Sequence, residues 1–304
     1  MESLNFQRAS SVLSRKTKEE ENVKAKNFCQ LNLRSKYISS CSPQSFSLPD
    51  SIIFYISKNP TTSKLYQKMI LTCKYFFIKN PVIVSSSYSY SRDLDKCCIE
   101  KIQFDLSQLI CKYWITENFD STSILPKLYK CDARKVNLIN KVISFKDLSM
   151  FATFAEDITL ETITVKDSNG SILPFEKVFE AFINAKKYAF YFYLTLPEIT
   201  SKTFNELLKI PHFSKLQSMN LNSVPETFDI EAFYVYMKKN KTTKFNLLFD
   251  DSISQVYKNR LEEIIDEILS TKFFNYAPPF IDFDGLEYEK SFRLFDLFYD
   301  VTFP

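Results

Sequence analysis

Glycine is nearly absent from this chain. Gly170 and Gly285 are the only two glycines among its 304 residues. A loop that cradles a phosphate needs several glycines close together, because backbone amides must approach the anion closely. The sequence therefore excludes a glycine-rich nucleotide-binding loop.

Histidine is equally scarce, since His212, in the run IPHFSKL, is the only one. It could serve as the general base of a cysteine nucleophile. A single histidine between apolar neighbours after a helix is more typical of a packed or capping residue. We therefore expect no catalytic role for His212.

Paired cysteine spacing is also missing, although the chain has seven cysteines. The adjacent pair Cys97-Cys98 cannot supply the spacing of a zinc site. The pair Asp250-Asp251 follows the apolar run FNLLF. It could bind a hard cation, or it could belong to the start of the next helix. No set of residues points to an enzyme, a metal or another cofactor.

Long apolar runs and a secretory leader are absent too. The longest run, Tyr188 to Leu196, is about half the roughly 20 residues that a membrane-spanning helix needs. The odd cysteine count and the lack of a leader favour free thiols over a disulfide framework. We expect a reducing compartment, cytoplasmic or nuclear, and no membrane association.

Basic residues are concentrated at the start of the chain. Residues 1–47 hold eight Lys or Arg and four Glu, which gives this segment a larger positive charge than the net +3 of the whole chain. The rest is close to neutral, which predicts no basic face for nucleic acid. We expect residues 1–47 to be a disordered tail. Arg15, Lys16 and Lys18 are candidates for nuclear targeting or phosphate contact, but the glutamates that follow them are typical of a solvated tail.

Aromatic residues are abundant, at 16% of the chain, and apolar residues make up 45%. Both fractions suffice for a large core. Residues 48–84 form a distinct segment of two short amphipathic helices and a third apolar turn. Asp50 or Ser51 can cap the first helix, and Thr61, Thr62 or Ser63 begins the second. A unit this small exposes an apolar face that needs a partner.

This segment resembles an F-box, most closely the divergent F-box-like families expanded in roundworms. The resemblance rests on Leu48-Pro49, on the apolar positions that follow and on the closing run Cys73-Lys74-Tyr75-Phe76. In that family these positions dock on the S-phase-kinase-associated adaptor of cullin–RING ubiquitin ligases. The resemblance implies that the adaptor is bound by Leu48, Pro49, Ile52, Ile53, Ile56, Leu65, Met69, Cys73 and Phe76.

Residues 85–304 alternate between strand-like and helix-like runs. The strand-like runs begin at Ile163, Phe190, Met219 and Phe245, at intervals of 27, 29 and 26 residues. Helix-like runs lie between them, a further unit runs through EEIIDEIL to FIDF, and earlier runs near residues 102, 112 and 127 extend the strands. The period is that of an irregular leucine-rich-repeat-like solenoid, and a non-repetitive α/β domain is the alternative. Either fold is α/β with parallel strands and helices packed outside.

In a solenoid, alternate side chains of the strands would line a recognition surface. Candidate partner-binding residues there are Tyr191, Tyr193, Asn220, Asn222 and Asn246, together with the Asp250 pair. Two functions remain open. The first is a non-catalytic substrate-recognition subunit of a ubiquitin ligase, which holds an unidentified client protein. The second is a plain interaction scaffold, in which the F-box-like helices only cap the repeats.

Overall fold

The computed structural model describes residues 45–91, 96–99, 102–105, 111–192 and 199–300. They belong to two compact units that meet in sequence at Pro81 and Val82. None of the described helices is both long and apolar enough to cross a bilayer. The fold is mixed α/β, with a large, mostly parallel sheet and several helices.

The first unit contains three short helices: α1 (Asp50–Lys58), α2 (Ser63–Thr72) and α3 (Lys74–Lys79). The predicted cap of α1 is wrong, because Pro49 is the N-cap and its carbonyl accepts bonds from the amides of Ile52 and Ile53. Proline suits a helix start, where its missing N–H costs nothing. The predicted start of α2 is confirmed, since the Thr62 hydroxyl accepts the Leu65 amide at 3.2 Å.

The described part of the second unit holds eleven strands in one sheet. Their order across the sheet is β11-β10-β9-β8-β7-β6-β4-β1-β2-β3, and β5 pairs with β4. All the pairings are parallel except those of β2 with its two neighbours. The strands are β1 (Val82–Ser91), β2 (Lys96–Ile99), β3 (Ile102–Phe104), β4 (Lys112–Phe119), β5 (Leu128–Cys131), β6 (Lys135–Ser144), β7 (Asp157–Lys166), β8 (Lys187–Tyr191), β9 (Ser218–Val224), β10 (Lys244–Phe249) and β11 (Phe280–Asp282).

Helices join most of the parallel strands from β6 onwards. They are α4 (Phe145–Ala152), α5 (Phe175–Glu180), α6 (Thr203–Leu207), α7 (Ile230–Met237), α8 (Gln255–Ser270) and α9 (Tyr288–Asp300), with short 3-10 turns at Thr122–Lys127 and Phe213–Lys215. Side-chain caps start three of them, from Ser144, Asp229 and Ser254. These caps satisfy amides that a helix start leaves without partners.

Buried and half-buried residues alternate along much of the strands. In β10, KFNLLF, Phe245, Leu247 and Phe249 are buried while the residues between them are half-buried. The four predicted strand runs all coincide with observed strands, although Phe192 lies one residue beyond β8. The predicted helices likewise coincide with α5, α6 and α7.

The intervals between equivalent positions in the strands are less regular than the sequence predicts. The register aligns Leu160 with Phe190, Leu221, Leu247 and Ile281 in one buried row. The intervals in that row are 30, 31, 26 and 34 residues, so the unit length is irregular. Two further differences concern the first strands. β1 begins at Val82, so residues 82–84 lie in a strand and not in the helical segment, and β3 is antiparallel to β2.

The core between the sheet and its helices is built from aromatic rings. Phe179 of α5 lies 5.0 Å from Tyr188 of β8 between ring centres, and Phe233 of α7 lies 5.2 Å from Phe245 of β10. Both pairs are edge-on, the arrangement that ring quadrupoles favour. Helices α5 and α7 therefore pack on the face of the sheet that carries the buried rows. The opposite face carries the half-buried residues, and α9 contacts it at Phe280, the register partner of Asn246.

The C-terminal helix α9 lies against the last strand. Phe280 of β11 is 5.8 Å from the Phe295 ring, and Lys244 of β10 donates to the carbonyl of Phe298 at 3.0 Å. A parallel edge strand presents unpaired backbone groups that can recruit another strand. Helix α9, beside β11, protects this edge strand from such pairing.

Candidate functional site

The three helices of the first unit leave an apolar face open. Leu48 is 48% exposed and Ile52 is 47% exposed, and Pro49 and Leu65 are exposed as well. Large apolar side chains grouped at a surface mark interaction sites more often than isolated ones do. We call the group Leu48, Pro49, Ile52 and Leu65 the open face.

The same helices keep a separate buried side. Ile53 is 6% exposed, Met69 is buried and Tyr66 is fully buried. The Tyr66 hydroxyl donates to the carbonyl of Asn80 just after α3. Ile52 and Ile53 are neighbours in sequence but 100° apart around a helix, so α1 serves both sides at once.

Three predicted residues lie between these extremes. Ile56, Cys73 and Phe76 are half-buried. The Phe76 ring lies 6.0 Å from the rings of both Phe46 and Tyr75, tilted to the first and edge-on to the second, and Cys73 is the residue between α2 and α3. Of the nine predicted adaptor-binding residues, four therefore form the open face, two are buried and three are half-buried.

Sequence reasoning missed three exposed apolar residues of this unit. Tyr55 is on the same side of α1 as Ile52, one turn later, and is exposed, as are Phe54 and Leu71. Helical periodicity from Ile52 would have found Tyr55. Leu71 is 85% exposed and lies near the end of α2, where no periodic pattern pointed to it.

The sheet offers a second candidate surface, on the face opposite its buried rows. One row across neighbouring strands contains Asn137, Thr159, Ala189, Asn220 and Asn246. The next row contains Ile139, Glu161, Tyr191, Asn222 and Leu248. The predicted partner-binding residues Tyr191, Asn220, Asn222 and Asn246 thus lie together on this face, and Tyr193 lies outside the described residues.

Two of these asparagines have unusual surroundings. The side-chain oxygens of Asn220 and Asn246 are buried, and neither accepts a hydrogen bond from another described residue. The two residues are direct neighbours in the register of β9 and β10. A buried acceptor without a partner is costly, so this pair is a place where a bound donor would be stabilised.

Three residues with a left-handed backbone each come directly after a residue of the second row. Asn140, Thr162 and Ser223 have φ angles of 49°, 53° and 56°. Asn140 and Thr162 stand side by side in the register of β6 and β7. This conformation is strained for a β-branched residue, and it turns each strand so that the pattern of buried residues shifts beyond it.

The residues considered for catalysis or metal binding have structural partners. His212 is buried, its ring lies 4.9 Å from Phe179, and burial lowers its pKa. Asp250 accepts bonds from the amide and hydroxyl of Ser252, which lower its pKa. Within the described ranges, no group of three or more His, Cys, Asp or Glu side chains could hold a metal ion.

A cleft of ≈ 960 Å³ lies where β9 and β10 end. Its charged side chains are already engaged. Glu226 accepts the Ser254 amide at 2.7 Å, Asp229 caps α7, and Glu231 pairs with Arg260. These bonds hold the loops of the cleft together.

Comparison of the chain with protein-family models, with curated proteins and with solved structures finds no significant match. The function is therefore argued from the geometry of the two surfaces.

Proposed function

We propose that this chain is a non-catalytic substrate-recognition subunit of a cullin–RING ubiquitin ligase. The first unit is an F-box-like module that docks on the S-phase-kinase-associated adaptor. The second is an irregular leucine-rich-repeat-like solenoid that holds a client protein. The subunit would act by raising the local concentration of client lysines near the ubiquitin donor.

The observation that carries the proposal is the open face of the first unit. Leu48, Pro49 and Ile52, three of the positions that the resemblance assigns to adaptor contact, are exposed. If these helices served only as a cap, the same side chains would be buried within the chain. Burial of such residues in a partner contributes about 25 cal/mol for each Å² of apolar surface removed from water.

The arrangement of the second unit supports the client-binding half. Helices α5 and α7 pack on the buried rows of the sheet, α9 contacts the half-buried face at Phe280, and the rows of that face carry amide, hydroxyl and aromatic groups. Such side chains are well suited to partner contact. Asn220 and Asn246, half-buried neighbours on this face, are residues that we expect to contact a client.

Co-purification with the adaptor tests the proposal. The unsubstituted chain is expected to retain the adaptor, and Leu48→Ala/Pro49→Ala is expected to lose it. A matched control, Val235→Ala/Val256→Ala, removes exposed apolar side chains from the second unit and should retain it. An unchanged pull-down for the Leu48/Pro49 variant would favour the scaffold alternative.

A further inference from the structure

The two edges of the parallel sheet carry opposite charge. We call the edge where strands β6 to β11 begin the amino edge, and it consists of the residues that lead into each strand. These residues are 132–135, 153–157, 181–187, 208–218, 238–244 and 271–280, and they include eleven Lys or Arg and three acidic residues. The loops at the other edge, 167–174, 199–202, 225–229, 250–254 and 283–287, include seven acidic residues and one lysine.

Backbone hydrogen bonds join the turns of the amino edge into one continuous surface. The amide of Glu156 donates to Arg134, that of Lys186 to Glu156, that of Gln217 to Lys186 and that of Lys244 to Gln217, at distances of 2.7 to 2.9 Å. Successive turns therefore lie side by side. Six strands spaced about 4.8 Å apart give an edge about 24 Å long, the span of about seven residues of extended polypeptide.

Part of this charge has a structural use. The helices end at the amino edge, where basic residues stabilise the negative ends of helix dipoles. Lys186 pairs with Glu156 at 2.8 Å and Lys238 with Glu267 at 2.7 Å. Lys209 pairs with Glu206 within its own connection.

The remaining basic side chains are not bonded within the described part of the fold. Seven basic side chains of the amino edge are exposed, and none of them makes a hydrogen bond or ion pair with another residue that the structure describes: Arg134, Lys135, Lys187, Lys215, Lys239, Lys241 and Lys272. A surplus of like charge destabilises the folded state through repulsion. An anionic partner would relieve that repulsion.

Exposed apolar side chains alternate with these cations along the same edge. Phe154, Ile183 and Leu208 are exposed in three successive turns, and Phe273, beside Lys272, is 91% exposed. The acidic pair Glu156 and Asp157 interrupts the cations near one end. Bases can stack on aromatic rings but not on the aliphatic Ile183 and Leu208, whereas the apolar side chains of a peptide can cover both kinds of group.

We infer that the amino edge binds an acidic, amphipathic segment of a partner polypeptide. Its carboxylates would meet the lysines, and its apolar side chains would cover Ile183, Leu208 and Phe273. The inference is independent of adaptor docking, because every residue that carries it belongs to the second unit.

Fluorescence anisotropy with the full-length chain tests this surface. The probe is a labelled synthetic peptide of about ten residues in which Glu alternates with Leu or Phe. We expect the charge reversal Lys187→Glu/Lys215→Glu/Lys241→Glu to weaken binding about tenfold or more, since close opposite charges are lost and replaced by repulsion. Thermal unfolding reports whether the variant folds. If it does not, the milder Lys→Gln triple replaces it, with a smaller loss expected in the same direction.

The matched control reverses three exposed lysines away from the amino edge, Lys146, Lys166 and Lys202. It changes the net charge equally and retains the basic tail, and we expect less than about a twofold effect. Removing the apolar groups with Ile183→Ser/Phe273→Ser should also weaken binding. No peptide binding by the unsubstituted chain, an equal loss in the control, or equally tight binding of single-stranded oligo-dT with the same pattern of losses would each overturn the inference. Leu48→Ala/Pro49→Ala should leave peptide binding unchanged.

Discussion

Adjacent isoleucines in α1 should differ sharply in their contribution to stability. Ile53 is 6% exposed, and Ile52 is 47% exposed. Truncating a buried isoleucine to alanine costs about 2–5 kcal/mol, because both the burial energy and the packing around it are lost. Ile52→Ala loses about half of the burial energy of a large apolar side chain, about 1 kcal/mol, and regains about 0.4 kcal/mol from the better helix propensity of alanine. We therefore expect a difference of about 2 kcal/mol between the two variants.

Hydrogen exchange measured by mass spectrometry is the suitable assay. A chain with two compact units need not unfold in a single step, so a melting curve of the whole molecule would mix the two. Exchange of the amides in α2 and α3 reports the opening of the first unit alone. A difference of about 2 kcal/mol corresponds to roughly thirtyfold faster exchange in Ile53→Ala than in Ile52→Ala.

The comparison would refute the division of α1 into two sides if both variants exchanged at the same rate. Equal destabilisation would mean that Ile52 is part of the internal packing. A loss of adaptor binding in Ile52→Ala could then be a consequence of unfolding. If the expected difference is found, a loss of adaptor binding in Ile52→Ala can be attributed to a lost contact and not to unfolding.

Further predictions concern the sheet. Thr162→Asn should stabilise the chain by about 1 kcal/mol in thermal unfolding, because asparagine tolerates the left-handed backbone better than a β-branched residue. The mirror change Asn140→Thr should destabilise it similarly, and opposite signs would show that backbone strain is not decisive. His212 is the only histidine, and burial lowers its pKa, so the folded state favours the neutral ring. Its contribution is present above pH 6.5 and is lost as the pH falls below it, so His212→Gln should lessen the decline in stability between pH 7 and 5.5; an unchanged decline would contradict this. Leu247→Ala, at a fully buried site, should cost about 2–5 kcal/mol in denaturant unfolding, and a cost under about 1 kcal/mol would count against the buried row.

The alternation of strands and helices could be predicted because each strand of the second half contains a short apolar run. The run FNLLF lies in β10, and the helix that precedes it has its own apolar stripe. The length of each repeat could not be predicted. The connections differ in length, so Leu160 and not Ile163 is the register partner of Phe190.

Three observed strands, β1, β2 and β6, were not predicted, and β1 and β6 were missed for identifiable reasons. β1 ends in the run SSSYSYS, in which only Ser85 and Tyr88 are buried, so it has almost no apolar pattern. In β6 the left-handed Asn140 interrupts the alternation, and Val142 beyond it is exposed. Local backbone geometry of this kind leaves no periodic trace in a sequence.

The candidate surfaces were predicted unevenly. The resemblance pointed to the open face, although it included the buried Ile53 and Met69, because a family pattern does not separate contact residues from internal packing. The amino edge was missed, since the charge of the second unit was summed over the chain. Basic and acidic residues nearly cancel in that sum, but parallel topology collects them at opposite edges.

A calorimetric titration of the purified full-length chain with the purified S-phase-kinase-associated adaptor measures docking itself. We expect a saturable complex of one chain with one adaptor, which Leu48→Asp/Ile52→Asp abolishes while it speeds hydrogen exchange in α2 and α3 much less than Ile53→Ala does. A charged side chain cannot be buried without a partner except at high cost, so this double variant removes docking at the open face. No detectable heat of binding for the unsubstituted chain, or equal affinity for the double variant, would contradict the account.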